Sequence, residues 1–186
     1  MFTLEGIDGS GKTTQAPLIK EYLKKAGLKV QVFRHPDINP LGEFIRKNIR
    51  TFDPWLRNQL IVLDMKATLR NQEKNYDLKT IFIWDRYIDS FYTSNSEMTL
   101  KEANDIMSEM PLPIKTFWLD IDPNVVLTQR ENAVNEHSDP IWLSLKQKRY
   151  NKLFKKYPER FIRINADQSI ELVTKQIAEE IIKICK

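Results

Sequence analysis

The sequence has little of what disulfide frameworks, zinc clusters and membrane spans require. Its single cysteine, Cys185, excludes an internal disulfide framework. Its two histidines, His35 and His137, stand far apart, so a zinc cluster is not expected. No apolar stretch approaches the roughly 20 residues that cross a bilayer. These absences favour a reduced, cytoplasmic protein without a membrane partner.

Neither sign of charge is in large excess. The 29 Lys and Arg residues against 25 Asp and Glu give a net charge of +4 over 186 residues, a length that suits one domain. The basic residues are spread along the chain, whereas a nucleic-acid binder concentrates them on one face. We therefore expect a small anionic ligand and no nucleic-acid partner. The densest basic run, residues 146–156, is interpreted as the solvated side of a helix, with phosphate contact as the alternative.

Glycine is scarce, but three of the five glycines lie in residues 6–13, which read GIDGSGKT. This is the P-loop pattern. A strand-like apolar run precedes it, and a helical pattern of apolar residues follows it. The glycines let backbone N–H groups surround phosphate oxygens, Lys12 would reach the β- and γ-phosphates, and the Thr13 hydroxyl would bind Mg²⁺. The alternative is a chance glycine-rich turn, and the flanking strand and helix argue against it.

Strand-like runs alternate with helical patterns along the chain. The predicted strands are residues 1–7, 28–34, 80–84, 115–121 and 161–165. Parallel β-α units joined by right-handed crossovers produce this alternation. The sequence therefore predicts an α/β fold, a single domain over residues 1–186 with a doubly wound parallel sheet flanked by helices. In such sheets, ligands bind at the carboxyl ends of the strands.

Charged residues occur at three of these predicted strand ends. Asp8 lies within the P-loop, Arg34 ends the second strand, and Asp85 and Arg86 follow the third. A carboxylate in such a place can hold Mg²⁺, and Asp85 is the candidate. Arg34 and Arg86 could clamp the phosphate of an acceptor in the bidentate way that lysine cannot. The alternative for Asp85 and Arg86 is an adjacent pair on the surface.

Six short motifs occur in order along nearly the whole chain. They are LEGIDGSGKTTQ at 4–15, FRHP at 33–36, PLGEFIR at 40–46, DRYIDS at 85–90, FWLDIDP at 117–123 and INADQSI at 164–170. This combination resembles the thymidylate kinase family. The resemblance implies a five-stranded parallel P-loop sheet and transfer of the γ-phosphoryl group of ATP to a deoxynucleoside monophosphate, dTMP to dTDP. It also implies Mg²⁺, small-molecule nucleotides as partners, and a homodimer.

The resemblance also assigns roles to individual residues. Lys12, Arg86 and Asp8 match catalytic positions, with Asp8 contacting the acceptor sugar, and Thr13 and Asp85 match positions near the metal. The ATP-binding set is Gly6, Asp8, Gly9, Ser10, Gly11, Lys12, Thr13 and Thr14. The acceptor-binding set is Asp8, Arg34, Leu60, Asp64, Arg86, Tyr87 and Ser90.

Two positions depart from the family pattern on the helix before the Asp85 strand. The aromatic residue that stacks on thymine falls on Leu60 or Ile61, and the arginine that binds the base falls on Asp64 or Met65. A carboxylate accepts hydrogen bonds, so Asp64 could favour a base with an exocyclic amine and thymine selectivity would weaken. The alternative is that Asp64 faces water.

The resemblance places a lid over ATP at about residues 130–141. Between Leu127 and Ile141 its only strong base is Arg130, which we assign to stabilising charge in the transition state. The alternative for Arg130 is a surface position near the end of a helix.

These observations predict an ATP-dependent nucleoside-monophosphate kinase. One rival is a P-loop kinase that acts on another nucleotide or on a nucleoside, and the paired arginines argue against an uncharged acceptor. The other is a nucleotide-binding regulatory protein without turnover, which the short lid and the altered base-recognition pair keep open.

Overall fold

Five strands form one parallel sheet in the computed structural model, which describes residues 1–49, 51–75, 77–129 and 139–185. The strands are β1 Phe2–Glu5, β2 Val30–Arg34, β3 Ile81–Asp85, β4 Lys115–Asp120 and β5 Phe161–Asn165. The helices are α1 Lys12–Lys25, α2 Pro40–Asn48, α3 Pro54–Asn75, α4 Ile88–Thr93, α5 Leu100–Ile106, α6 Pro123–Gln129, α7 Pro140–Lys156 and α8 Ile170–Cys185.

The sheet has the strand order β2-β3-β1-β4-β5, and all neighbouring strands run parallel. The predicted α/β class and the parallel five-stranded sheet are therefore confirmed. The central strands β1 and β4 are almost fully buried, as expected for apolar runs that are covered on both faces. Helices α1 and α8 pack on each other, and α7 packs on both α4 and α6.

Local sequence signals fix several helix starts. Asn39 accepts a hydrogen bond from the Gly42 backbone N–H at 2.8 Å, and Pro40 occupies the first turn of α2. Thr99 and Glu102 form the expected capping box of α5. None of the helices within the described ranges is both long and apolar enough to cross a membrane.

The register brings the predicted strand ends to one edge of the sheet. Arg34 is the Cα partner of Asp85 on the adjacent strand, and Leu4 of β1 is paired with the same Asp85. The P-loop leaves β1 directly after Glu5 and enters α1 at Lys12. The candidate residues that are far apart in sequence therefore meet at the carboxyl edge.

Candidate active site

The loop between β1 and α1 has the backbone shape that the glycine pattern predicts. Gly6, Gly9 and Gly11 all have φ between 77° and 148°, a region that favours glycine. A Cβ on Gly9 would lie 2.4 Å from Cγ1 of Val126, so a side chain has no room there. Gly11 precedes α1, and the Thr14 backbone N–H donates to its carbonyl at 3.1 Å. The start of α1 therefore lacks a side-chain cap and can receive an anion.

Lys12 turns its ammonium into the loop itself. The side chain is buried, and Nζ donates to the carbonyls of Gly6 at 2.9 Å and Ile7 at 2.6 Å and to Ser10 Oγ at 3.1 Å. Burial and the nearby Arg86 guanidinium lower the pKa of Lys12 to about 7. An anion could therefore contact this ammonium only by displacing the loop carbonyls from it.

Thr13 and Asp85 form a polar pair that fits a magnesium ion. Thr13 Oγ1 donates to Asp85 Oδ2 at 2.7 Å, and Asp85 is only 2% exposed. The other carboxylate oxygen, Oδ1, is buried and has no hydrogen-bond partner among the described residues. Magnesium commonly takes one or two protein oxygens and completes its shell with phosphates and water. The alternative that Asp85 belongs to a surface pair is wrong, because the side chain is buried.

Asp8 is held between two cations. Its Oδ1 accepts from Arg86 Nη2, and its Oδ2 accepts from Lys146 Nζ at 2.7 Å. Burial alone would raise the pKa of Asp8, but Arg86, Lys146 and Lys12 together hold that pKa well below its usual range. The carboxylate is therefore charged at neutral pH and is in direct contact with two cations.

Arg86 reaches the P-loop from an unusual backbone conformation. Its φ is 72°, in the left-handed region that non-glycine residues rarely adopt, and its N–H donates to the Leu4 carbonyl at 3.1 Å. Such strain is concentrated at functional sites. The side chain is 23% exposed, so the alternative of a surface position is wrong for Arg86 as well.

Lys146 is a site residue that the sequence analysis missed. Its side chain on α7 is only 8% exposed, and its Nζ lies 5.3 Å from the centroid of the Trp142 ring. The interpretation of residues 146–156 as entirely solvated is therefore wrong at this position. A signal was available in the helical spacing, because Lys146 continues the buried face formed by Leu143, Tyr150 and Leu153.

Glu5 organises the layer beneath the site and was also missed. This buried carboxylate accepts from the Tyr87 backbone N–H at 2.8 Å, from Ser90 Oγ and from Tyr150 Oη at 2.9 Å. Burial, reinforced by Asp89, raises its pKa to about 7. Among the predicted acceptor residues, Tyr87 is fully buried, and the centroid of its ring lies 4.8 Å from the centroid of the Trp84 ring. Ser90 is 5% exposed. Both residues pack in the layer that contains Glu5.

The base-recognition region differs from the expectation at Asp64. This carboxylate is fully buried, its Oδ2 accepts from the Asp37 backbone N–H at 2.8 Å, and the same oxygen lies 3.0 Å from Nδ1 of the buried His35. Burial would raise the pKa of Asp64, but His35, Asp37 and Asn39 lower it. The alternative that Asp64 faces water is wrong. Its contact with an acceptor base stays a prediction, and in this structure the carboxylate links the chain after β2 to α3.

The other predicted acceptor residues lie closer to solvent. Arg34 is exposed at the end of β2, and its side chain makes no hydrogen bond or ion pair within the described ranges. Leu60 is half-buried on α3. Arg130 and most of the expected lid lie outside the described residues, which resume where Asp139 caps α7 by accepting from the Ile141 N–H at 2.9 Å.

Comparisons with known proteins agree with this arrangement. The family model described as thymidylate kinase matches residues 4–177. A thymidylate kinase of Thermoanaerobacter sp. strain X514 is 29% identical, with 97% of this chain and 96% of that protein covered. A probable thymidylate kinase of Methanosphaera stadtmanae is 32% identical, with 98% of this chain and 97% of that protein covered. A probable thymidylate kinase of Methanothermobacter thermautotrophicus is 31% identical, with 93% of this chain and 89% of that protein covered.

Proposed function

Because the chain belongs to the thymidylate kinase family, a family of phosphotransferases, we propose that it transfers the γ-phosphoryl group of ATP to dTMP. The observation that supports this most is the convergence of the P-loop, Asp85, Arg86 and Lys146 around Asp8 at one edge of the sheet. Phosphoryl transfer depends mainly on positioning and on neutralising charge, and this edge supplies both.

ATP would bind with its phosphates on the N–H groups of the loop from Gly6 to Thr14. The Lys12 ammonium would leave the Gly6 and Ile7 carbonyls for phosphate oxygens. Thr13 and Asp85 would hold Mg²⁺, which when bound neutralises phosphate charge. The free Oδ1 of Asp85 supports this assignment, since a buried carboxylate oxygen without a donor is suited to a cation.

The acceptor phosphate would lie between Arg34 and Arg86. The exposed Arg34 guanidinium is held by no described neighbour, and Arg86 can exchange Asp8 for a phosphate oxygen. Bidentate contacts of this kind favour a phosphate over a hydroxyl group. This favours a monophosphate acceptor over a nucleoside, and Asp8 is released to contact the acceptor sugar.

Selection of the base would come from shape rather than from Asp64. The carboxylate is already occupied by the Asp37 backbone and lies against His35, so a preference for amine-bearing bases loses its support. Leu60 offers an aliphatic surface to a base in place of a ring. We therefore expect dTMP to be accepted with looser selectivity than a stacking ring would give. The homodimer, the single-domain extent and the cytoplasmic location stay predictions.

The decisive experiment measures ATP consumption with Mg²⁺ across dTMP, dUMP, dCMP, dAMP, dGMP and their ribose counterparts. We expect dTMP to be phosphorylated, and the variant Lys12→Met to be inactive although it folds. A marked preference for dCMP or dAMP would contradict the choice of base. ATP binding without transfer to any acceptor would instead favour a regulatory nucleotide-binding protein.

A further inference from the structure

Lys146 stands out because a buried ammonium is placed beside a carboxylate that already has a partner. Its Nζ lies 2.7 Å from Asp8 Oδ2, whereas Arg86 holds the other oxygen of the same carboxylate. Asp8 is the only side-chain acceptor that the described contacts give this ammonium. The remaining N–H bonds of Lys146 are therefore available to a second acceptor.

The charges in direct contact at Asp8 are unequal. One carboxylate contacts both the guanidinium of Arg86 and the ammonium of Lys146. The carboxylates of Asp85 and Glu5 are close enough to raise the pKa of Arg86, but neither forms an ion pair with Arg86 or Lys146 within the described ranges. Burying an ammonium costs free energy unless an anion compensates it. Burial and the like charge of Arg86 accordingly lower the pKa of Lys146, against the pull of Asp8. A further anion at this edge would remove the imbalance.

The position of Lys146 indicates which anion that is. Asp8 belongs to the P-loop, so an ammonium in contact with Asp8 lies next to the N–H groups that would surround the phosphates of ATP. Helix α7 carries Lys146 on its buried face, between Leu143 and Tyr150. The side chain is therefore fixed by core packing and needs no rearrangement of surface loops to stay at the site.

We propose that Lys146 is a catalytic residue, whose ammonium contacts the phosphoryl group during its transfer and neutralises the charge that develops there. The inference rests on the proposed function. In the step it assists, an ionised oxygen of the acceptor phosphate forms a bond to the γ-phosphorus, and the bond from that phosphorus to the β,γ-bridging oxygen breaks. The electron pair of the broken bond stays on the β-phosphate of ADP, and Lys146 keeps its protons throughout.

The test compares Lys146→Met with the matched variant Lys148→Met, which removes an exposed ammonium from the same helix. We expect Lys146→Met to lower kcat about 10²- to 10³-fold, the usual loss for one donor to a developing charge, with a much smaller change in KM. Lys148→Met should behave like the wild type, and Lys146→Arg should recover part of kcat. Equal kcat in all these variants would overturn the proposal.

A second measurement separates contact with the phosphoryl group from an effect through Asp8. ADP with aluminium fluoride, Mg²⁺ and dTMP mimics the transferring group, so Lys146→Met should weaken binding of this complex far more than binding of ADP alone. In an Asp8→Asn background, removing Lys146 should still lower kcat. If it has no further effect there, Lys146 only positions Asp8 and the proposal is wrong.

The unmodified protein provides a test that does not depend on how the variants fold. Reductive methylation of lysines, located by peptide mass spectrometry, should be slowed at Lys146 by the ADP, aluminium fluoride and dTMP complex and unchanged at Lys148. Equal modification of Lys146 with and without the complex would overturn the inference. A wild type that phosphorylates no monophosphate would refute the proposed function itself, which is a different result from an active wild type with an equally active Lys146→Met.

Discussion

Two carboxylates, the half-buried Asp8 and the buried Asp89, show what distinguishes a site from a structural ion pair. The Asp8 cluster, made of Asp8, Arg86 and Lys146, lies at the carboxyl ends of the strands. The Asp89 cluster, made of Asp89, Arg160 and Thr116, lies where β4 and β5 begin.

The Asp89 cluster is balanced. Arg160 donates to Asp89 through two parallel bonds of 2.6 and 2.7 Å, and Thr116 adds a third at 3.1 Å. The guanidinium also lies 4.7 Å from the centroid of the Phe161 ring. One charge of each sign, fully hydrogen-bonded, leaves nothing for a ligand to satisfy.

In the Asp8 cluster one carboxylate contacts two cations, and solvent reaches the cluster, since the Asp8 side chain is 29% exposed and the Arg86 side chain 23%. Two cations that share one carboxylate beside a P-loop favour the approach of an anion. Within the described ranges, the clusters therefore differ in the number of cations that contact each carboxylate, two for Asp8 and one for Asp89.

The largest effect should come from Arg86→Met in the Asp8 cluster. Loss of this guanidinium should reduce kcat/KM about 10³- to 10⁵-fold, as expected for an arginine that neutralises transferring phosphate. The melting temperature should change little, because Lys146 still holds Asp8. Steady-state kinetics and thermal unfolding measure the two quantities, with Arg163→Met as the exposed control. Unfolding of Arg86→Met would show that the cluster is structural after all.

Arg160→Met should have the opposite profile. Removing one partner of a buried pair leaves Asp89 uncompensated and should lower the free energy of unfolding by about 3–5 kcal/mol. Turnover per folded molecule should stay close to that of the wild type. Denaturant unfolding followed by assays below the transition would check both, and the double variant with Asp89→Asn should recover part of the stability. A large fall in kcat in still-folded Arg160→Met would contradict the comparison.

Titration of Lys12 should raise the dissociation constant of ATP about tenfold for each unit of pH above 7. Its pKa of about 7 before binding rises when phosphates replace the loop carbonyls, so ATP binding above pH 7 takes up a proton. The bound state then carries more protons, and a rise in pH must weaken binding. Calorimetry from pH 7.5 to 9, in buffers of different ionisation enthalpy, should show both the weakening and the uptake. A dissociation constant that stays flat over this range would exclude the shift.

The smallest expected effect is stabilisation by a simple polyanion. Tripolyphosphate at ten times its dissociation constant should add about 1.4 kcal/mol to the free energy of unfolding, or roughly 3 to 5 °C. Arg160→Met should keep this increment, because the Asp89 cluster binds no anion, whereas Arg86→Met should lose most of it. The same increment in both variants would mean that the anion binds elsewhere.

The sequence predicts what is encoded locally. The glycine spacing predicts the P-loop and apolar runs predict the strands. Thr13 and Asp85 could then be placed at one edge of the sheet, because ligands bind at the carboxyl ends of parallel strands. For Lys146 the helical spacing indicates a buried side chain but not its contact with Asp8, because that partner is 138 positions away in the sequence.

The complete burial of Asp64 and Glu5 was not predicted, for the same physical reason at both positions. A buried carboxylate is favourable only with its donors, and those donors come from other parts of the chain. They are Asp37 and Asn39 for Asp64, and Ser90 and Tyr150 for Glu5. The local sequence pattern therefore locates the end of a strand. Only the packed fold shows which charged groups already have hydrogen-bond or ion-pair partners.

The hydrogen bonds that Lys12 makes within its own loop set a threshold for ligands. On the proposed function, an entering anion would have to compensate for the loss of those bonds before it gained affinity. A single inorganic phosphate would offer few contacts, whereas a triphosphate would reach Lys12, the loop N–H groups and the Asp8 cluster together. The loop would then discriminate by the length of the phosphate chain and stay available to ATP in a solution rich in smaller anions.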